Sequence, residues 1–495
     1  MPAETEAPAG LKRAASWSLV LNGGRAIIST LVLLVLAGIL GPRDFGTVAI
    51  ASLFVLLFQV AFQQGLGPAL VARQVVDEQV LNVAFRLALV GSLTLAAVTL
   101  VLSQPIGLLF GSKELPSVLC ALVVTLPLLA VDLVPDALAR RRSDFRLLAV
   151  RGLAGLLVGG VVGVCAAVAG AGVWALVAQQ LAGALVSTTV LLARSPWRPS
   201  IHGPGPWRCP DIRKSLLAYS TRSSAADTAQ LLIGNLDTLL VGLFMGTRSV
   251  GLYRLASRIA SMVLDVSVRS GQSAVLPDLA RLQGASRDDF HKRVLKIQRG
   301  TCLLAMPLFG ILAGAALPAP RMLGEAWKDA GLPLMVLALS GLVAVLAAIA
   351  PPLLQAVSRP GLLAAVNGLT LLTTAAGIVV IGVMADHWSV PTQLALVASV
   401  RLAVSACIVV PLSLWALTIS TGLRLREVWS ESLPGICAGT AALLAGLAVI
   451  ASPLTDLGHL HATLGAGACS AAAGLTCVAW FERERLTPLL RRRGH

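Results

Sequence analysis

The feature that most limits what this chain can become is an apolar run of about 20 residues, recurring from one end of the sequence to the other. As a helix, such a run crosses about 30 Å of hydrocarbon. There, every backbone N–H and C=O must be satisfied within the protein, which leaves only helices and closed barrels. Barrel strands alternate apolar and polar residues with period two. These runs are evenly apolar, so the sequence predicts an all-α, polytopic membrane protein. The charge content agrees: 13% of residues are charged and 56% hydrophobic, where a soluble chain carries roughly 25% charge. Mean hydropathy is +0.83.

Spans are expected near 17–40, 46–66, 84–104, 115–138, 147–169 and 171–193, then at 222–244, 248–273, 295–317, 331–355, 361–384, 391–416, 434–452 and 460–481. That is about fourteen transmembrane helices. Glycine and proline punctuate the short connections Gly41-Pro42-Arg43-Asp44, Ala169-Gly170-Ala171 and Met245-Gly246-Thr247-Arg248. Residues 1–10 read as a disordered polar tail, followed by Lys12, Arg13 and an uncleaved first span.

Lys and Arg give the spans a direction. With the N-terminus cytoplasmic, the inner segments hold Lys12, Arg13 and Arg73, then Arg140, Arg141, Arg142, Arg146 and Arg151. They continue through the basic stretches 194–214 and 281–299 to Arg491, Arg492 and Arg493. The outer loops hold only Arg43, Lys113, Arg248, Arg321 and Lys328. Both termini are therefore expected in the cytoplasm. The net charge of +15 belongs to loops facing anionic membrane lipids. No nucleic-acid motif accompanies it, so a nucleic-acid partner is excluded. The segment 286–300 reads as an interfacial amphipathic helix with a Ser286/Asp289 capping box. The eight cysteines form no CxxC pair and read as small packing residues. His459-Leu460-His461 lacks nearby partner ligands. No metal and no cofactor are expected.

The two parts of the chain echo each other. Leu36-Ala37-Gly38-Ile39-Leu40-Gly41-Pro42-Arg43-Asp44-Phe45-Gly46 resembles Leu240-Val241-Gly242-Leu243-Phe244-Met245-Gly246-Thr247-Arg248-Ser249-Val250-Gly251. Gly67-Pro68-Ala69-Leu70-Val71-Ala72-Arg73 resembles Leu276-Pro277-Asp278-Leu279-Ala280-Arg281. Offsets near 205 and 209 residues put each pair at the same place in successive six-helix units, hence parallel repeats. The expected organisation is a tail at 1–10, an N-lobe at 11–193, a cytoplasmic linker at 194–221 and a C-lobe at 222–416. A helix pair at 417–481 and a basic tail at 482–495 follow.

The run Gly234-Asn235-Leu236-Asp237-Thr238-Leu239-Leu240-Val241-Gly242, with Gly246 and then Val250-Gly251-Leu252-Tyr253-Arg254-Leu255-Ala256, resembles the oligosaccharide flippases. These Wzx-type polysaccharide exporters belong to the MOP exporter superfamily. The turn Gly41–Gly46 and the segment Gly65–Leu70 match the same pattern in the first half. The resemblance runs from about residue 11 to about 430. It implies a V-shaped pair of six-helix lobes around a central cavity, in the bacterial cytoplasmic membrane. It also implies alternating-access translocation of undecaprenyl-diphosphate-linked oligosaccharide, for cell-surface polysaccharide biosynthesis. No covalent bond of the substrate is broken, so such a protein is not an enzyme. Polysaccharide polymerase machinery is a further implied partner.

Ionisable residues inside spans cost roughly 2.5–3.5 kcal/mol each, so they mark a site. Arg254, Arg258, Asp265 and Arg269 fall within a sector of about 60° at about 100° per residue. Ser261 and Gln272 share that face. Arg25 is the sole charge deep in the first span; Gln59 and Gln63 stack four apart in the second, and Gln63 is the repeat counterpart of Gln272. Arg25, Arg254, Arg258, Asp265, Arg269, Gln59, Gln63 and Gln272 are the expected substrate-binding residues of a cationic cavity. Guanidinium forks grip phosphate oxygens bidentately and stay charged at any relevant pH. Asp237 and Asp265 are candidates for ion coupling or gating. Asp132 lies near the inner end of the fourth span. Two other readings remain open. One is export of another cargo within the superfamily, a lipid-linked peptidoglycan precursor or a drug. The other is a membrane polymerase or glycosyltransferase, against which the short, acid-poor outer loops speak.

Overall fold

A computed structural model describes residues 28–62, 66–74, 76–199, 209–269, 287–356, 360–384, 387–452 and 459–491. Among the described residues there is no strand. The chain is a multi-pass, all-helical membrane protein. Among the described residues, ten helices are long and apolar enough to cross a membrane. The other expected spans fall on three elements. One is the short apolar helix α1 (Ile28–Ile39). The others are α2 (Pro42–Phe62) and the long α9 (Pro210–Leu264), which carries two of the expected spans. Exposed Leu, Val and Trp side chains are numerous, as they must be on a surface whose solvent is lipid.

The chain divides into two compact units, Met1–Gly251 and Leu252–His495. The first contains α1, α2 and α3 (Leu66–Ala72), then α4 (Glu78–Leu109), α5 (Leu115–Leu122) and α6 (Thr125–Arg141). After α7 (Phe145–Val168) and α8 (Val173–Arg194) comes the greater part of α9. Gly155 and Gly159 on α7 bring its backbone against α8, where a Cβ would meet the carbonyls of Gly183 and Gln179. Spacing of four keeps those glycines on one helix face, and small residues are what let membrane helices pack without a hydrophobic drive.

The segment 194–221, expected as a linker, is helical from Pro210 and packed on this unit. Trp197 is buried edge-on against Phe85 at 5.5 Å, and Leu216 is buried in the same cluster. The end of α3 is pinned by Arg141, whose guanidinium donates to the carbonyls of Leu70, Val71, Arg73 and Gln74. Those carbonyls sit where α3 ends and lack intrahelical donors. Arg141→Ala is expected to cost roughly 1–3 kcal/mol by stranding them. Arg141→Lys should recover only part of this, because an ammonium has no fork; thermal unfolding of the two variants in detergent checks it.

The repeated turn has a structural counterpart. The connection expected at 245–248 is a kink in α9 at Gly246, with φ 77° and ψ 177°. A Cβ on Gly46 would run into the Thr247 carbonyl, and one on Gly251 into the Pro42 carbonyl. Gly46 and Gly251 are repeat counterparts at an offset of 205, and so are Pro42 and Thr247. The two copies of the turn therefore touch reciprocally, each glycine admitting the other's backbone. The second copy of the Gly67–Arg73 motif, 276–281, lies outside the described residues.

The second unit contains the end of α9 and α10 (Arg287–Ala315). After the buried Trp327 come α11 (Gly331–Ala344), α12 (Ala350–Ala356), α13 (Pro360–Met384), α14 (Val390–Val404) and α15 (Val410–Thr421). Its last elements are α16 (Leu425–Ile450) and α17 (His459–Arg491). The basic stretch 286–300 is corrected here: from Arg287 it is continuous with the span that follows, rather than a separate interfacial helix. The last two helices lie on α10 along a glycine seam, where Gly310 meets the Gly439 carbonyl and Gly446 meets the Ser470 hydroxyl. Gln298, fully buried, donates to Leu346 O at 3.2 Å and to Ser432 Oγ at 3.2 Å. Arg299 and Glu431 pair at 3.1 Å. Gly439→Leu is expected to open this seam and lower the melting temperature by several degrees, read by thermal unfolding.

Candidate functional site

The first unit holds a cavity of about 540 Å³ among α2, α3, α6 and α7, with one charged wall. Its polar wall is a ladder on one face of α6. Asp132, Asp136 and Arg140 are four apart, so they stack on successive turns. Arg151, about two turns into α7, reaches across. Its Nη2 lies 3.1 Å from Asp136 Oδ1, and its Nη1 lies 3.9 Å from Asp132 Oδ2. Arg140 Nε lies 2.6 Å from Asp136 Oδ2. Asp136 is thus shared by two guanidinium groups. Gln59 of α2 and the Gly67-Pro68 start of α3 close the opposite side. Pro68 sits in the first turn, where its missing N–H costs nothing.

The network is uneven. Asp132 is 7% exposed, and its Oδ1 is buried without a hydrogen-bond donor. Arg151 Nη1 is likewise buried without an acceptor at hydrogen-bonding distance. Arg140 is the wet end, with its side chain 56% exposed. Two carboxylates and two guanidinium groups make the wall formally neutral. Arg151 is held in place between the two carboxylates, with its side chain 22% exposed.

Of the residues expected from sequence, Gln59 lines this cavity. Asp237 is buried in the same unit and accepts from the Thr238 N–H at 2.9 Å. Arg254, Arg258 and Asp265 belong to the second unit, and each is engaged by a neighbour. The helix that carries them changes from α to π geometry at Asp265–Arg269. A wider turn breaks the regular 100° step, so the face counted from Arg254 does not run unbroken to Arg269. Such π turns are frequent at functional sites. Arg25, Gln63 and Gln272 lie outside the described residues, as does the Arg269 side chain. Asp136, Arg140 and Arg151 were not expected as site residues: the two arginines counted as orientation-setting cations, and Asp136 was not singled out. The spacing 132, 136, 140 was the signal available. Among the described residues no three His, Cys, Asp or Glu side chains gather as metal ligands.

This bundle of membrane helices has solved likenesses. The structure of the lipid II flippase MurJ in an inward closed conformation matches with TM-score 0.70 at 13% identity, covering 96% of this chain and 99% of that one. An inward-facing multidrug resistance MATE family transporter of the MOP superfamily matches with TM-score 0.56 at 13% identity, over 82% and 99%. At such identity these show the MOP transporter fold. The family model for polysaccharide biosynthesis proteins matches residues 35–331, and the chain belongs to that family. It is 28% identical over 331 residues to the succinoglycan biosynthesis transport protein ExoT of Rhizobium meliloti (strain 1021). That match spans 66% of this chain and 65% of the relative.

Proposed function

We propose that this protein carries an undecaprenyl-diphosphate-linked oligosaccharide across the bacterial cytoplasmic membrane by alternating access, with both termini on the cytoplasmic side. The observation that carries the reading is Arg151, a guanidinium in the wall of a cavity that Gln59 also lines, held at 3.1 Å by Asp136. An arginine carried by a helix apolar enough to cross a membrane is costly there, and marks a candidate polar route. A diphosphate linkage presents about two negative charges, which suit a planar fork. The lipid tail stays in the bilayer, and only the head follows a polar route. Arg25, Gln63, Arg254, Arg258, Arg269 and Gln272 are proposed as further substrate-binding residues, with Asp237 and Asp265 as coupling or gating groups. Membership in the polysaccharide biosynthesis family supports a glycan-bearing cargo.

Reconstitution in liposomes tests this. Fluorescent lipid-linked oligosaccharide in the inner leaflet should become accessible to an external quencher only with the protein present. Absence of leaflet transfer under every ion gradient tried would count against the reading.

A further inference from the structure

The carboxylate least well served in the cavity is Asp132. It is 7% exposed, and its Oδ1 has no donor. The nearest cation, Arg151, stands 3.9 Å from its other oxygen. The Thr188 hydroxyl of α8 faces it as well. The charged groups acting on it are Arg151 of α7 and Asp136, one turn on in α6. Arg151 is therefore the cation that supports it, and Asp136 competes for that guanidinium at 3.1 Å.

Resting on the proposed cargo, we infer that Asp132 is a proton-binding site linked to anion binding in this cavity. An anion that draws Arg151 away leaves Asp132 as a buried carboxylate beside a second carboxylate and an incoming diphosphate. Like charges at that range, in low dielectric, cannot all stay ionised. Asp132 Oδ1 then takes a proton from water, forming one O–H bond, while no bond of the cargo is made or broken. Release of the cargo returns Arg151 to the carboxylates and the proton to water. A metal cation is the poorer occupant, since two guanidinium groups share this wall, whereas a proton sits on the free oxygen itself. Linkage is reciprocal: if binding takes up a proton, affinity rises as pH falls.

The test uses the full chain in nanodiscs and, as probe, a polyprenyl diphosphate carrying one glucose, whose diester linkage does not titrate near neutral pH. Calorimetry in two buffers of different ionisation enthalpy counts protons taken up per probe bound. The expected result is uptake of up to one proton near neutral pH, with affinity rising up to tenfold per pH unit lowered while Asp132 remains ionised in the free protein. Asp132→Asn should abolish uptake and make binding independent of pH, while Asp136→Asn keeps an uptake. Probe binding with no proton uptake by the native protein overturns the inference and leaves the proposed cargo standing. Uptake that survives Asp132→Asn also overturns it. No probe binding at all sinks the cargo reading, and the inference with it.

Discussion

Arg151→Gln is expected to lower stability by roughly 3–5 kcal/mol, because removing one partner of a buried ion network strands the others. Asp132 would lose its one cation, and Asp136 would keep only the exposed Arg140. The double variant Asp132→Asn/Arg151→Gln should recover much of the loss, since replacing both members of a buried pair by neutral groups costs far less than breaking it. Transport should not recover, because the guanidinium that meets the anion is gone. Thermal unfolding in detergent and leaflet transfer in liposomes read the two effects separately. A double variant no more stable than Arg151→Gln would show that Arg151 does not offset the Asp132 charge.

The second large effect is expected at the repeated turn. Gly46→Ala or Gly251→Ala places a methyl group on a backbone carbonyl, Thr247 in one case and Pro42 in the other. Backbone cannot step aside as a side-chain tip can, so each substitution must part the turns, at roughly 1–3 kcal/mol or more. Because both glycines serve one contact, parting the turns once relieves both clashes. The double variant should then cost clearly less than the sum of the singles, the non-additivity expected of residues that share a contact. Strict additivity in thermal unfolding would mean that the two glycines act separately.

Some of this was legible in the sequence and some was not, and the difference is physical. Span positions follow from the transfer cost of charge into hydrocarbon, a property of local composition. The repeat was legible because two turns with the same task kept the same glycine spacing. Arg151 was counted only as an orientation signal, because its position near a basic loop fits that reading. Only tertiary packing of α7 on α6 shows that its guanidinium turns towards Asp132 and Asp136. The π turn at Asp265 was not legible for the same reason. Hydrophobic period is counted with a regular helix in mind, and a single wide turn leaves no mark in composition. The attachment of the last two helices also rested on packing. Gln298 and the glycine seam look like unremarkable small and polar residues until α10 and α16 face each other.

The reciprocal contact at Gly46 and Gly251 bears on how such a chain can change over generations. Local backbone geometry does not require glycine at position 46 or at 251, since neither has a positive φ. Each is held to glycine by a carbonyl about 205 residues away in the other copy of the turn. Most other positions of the two turns carry no such mutual demand. At these two, neither turn can change without the other, so substitutions there should be tolerated only in pairs.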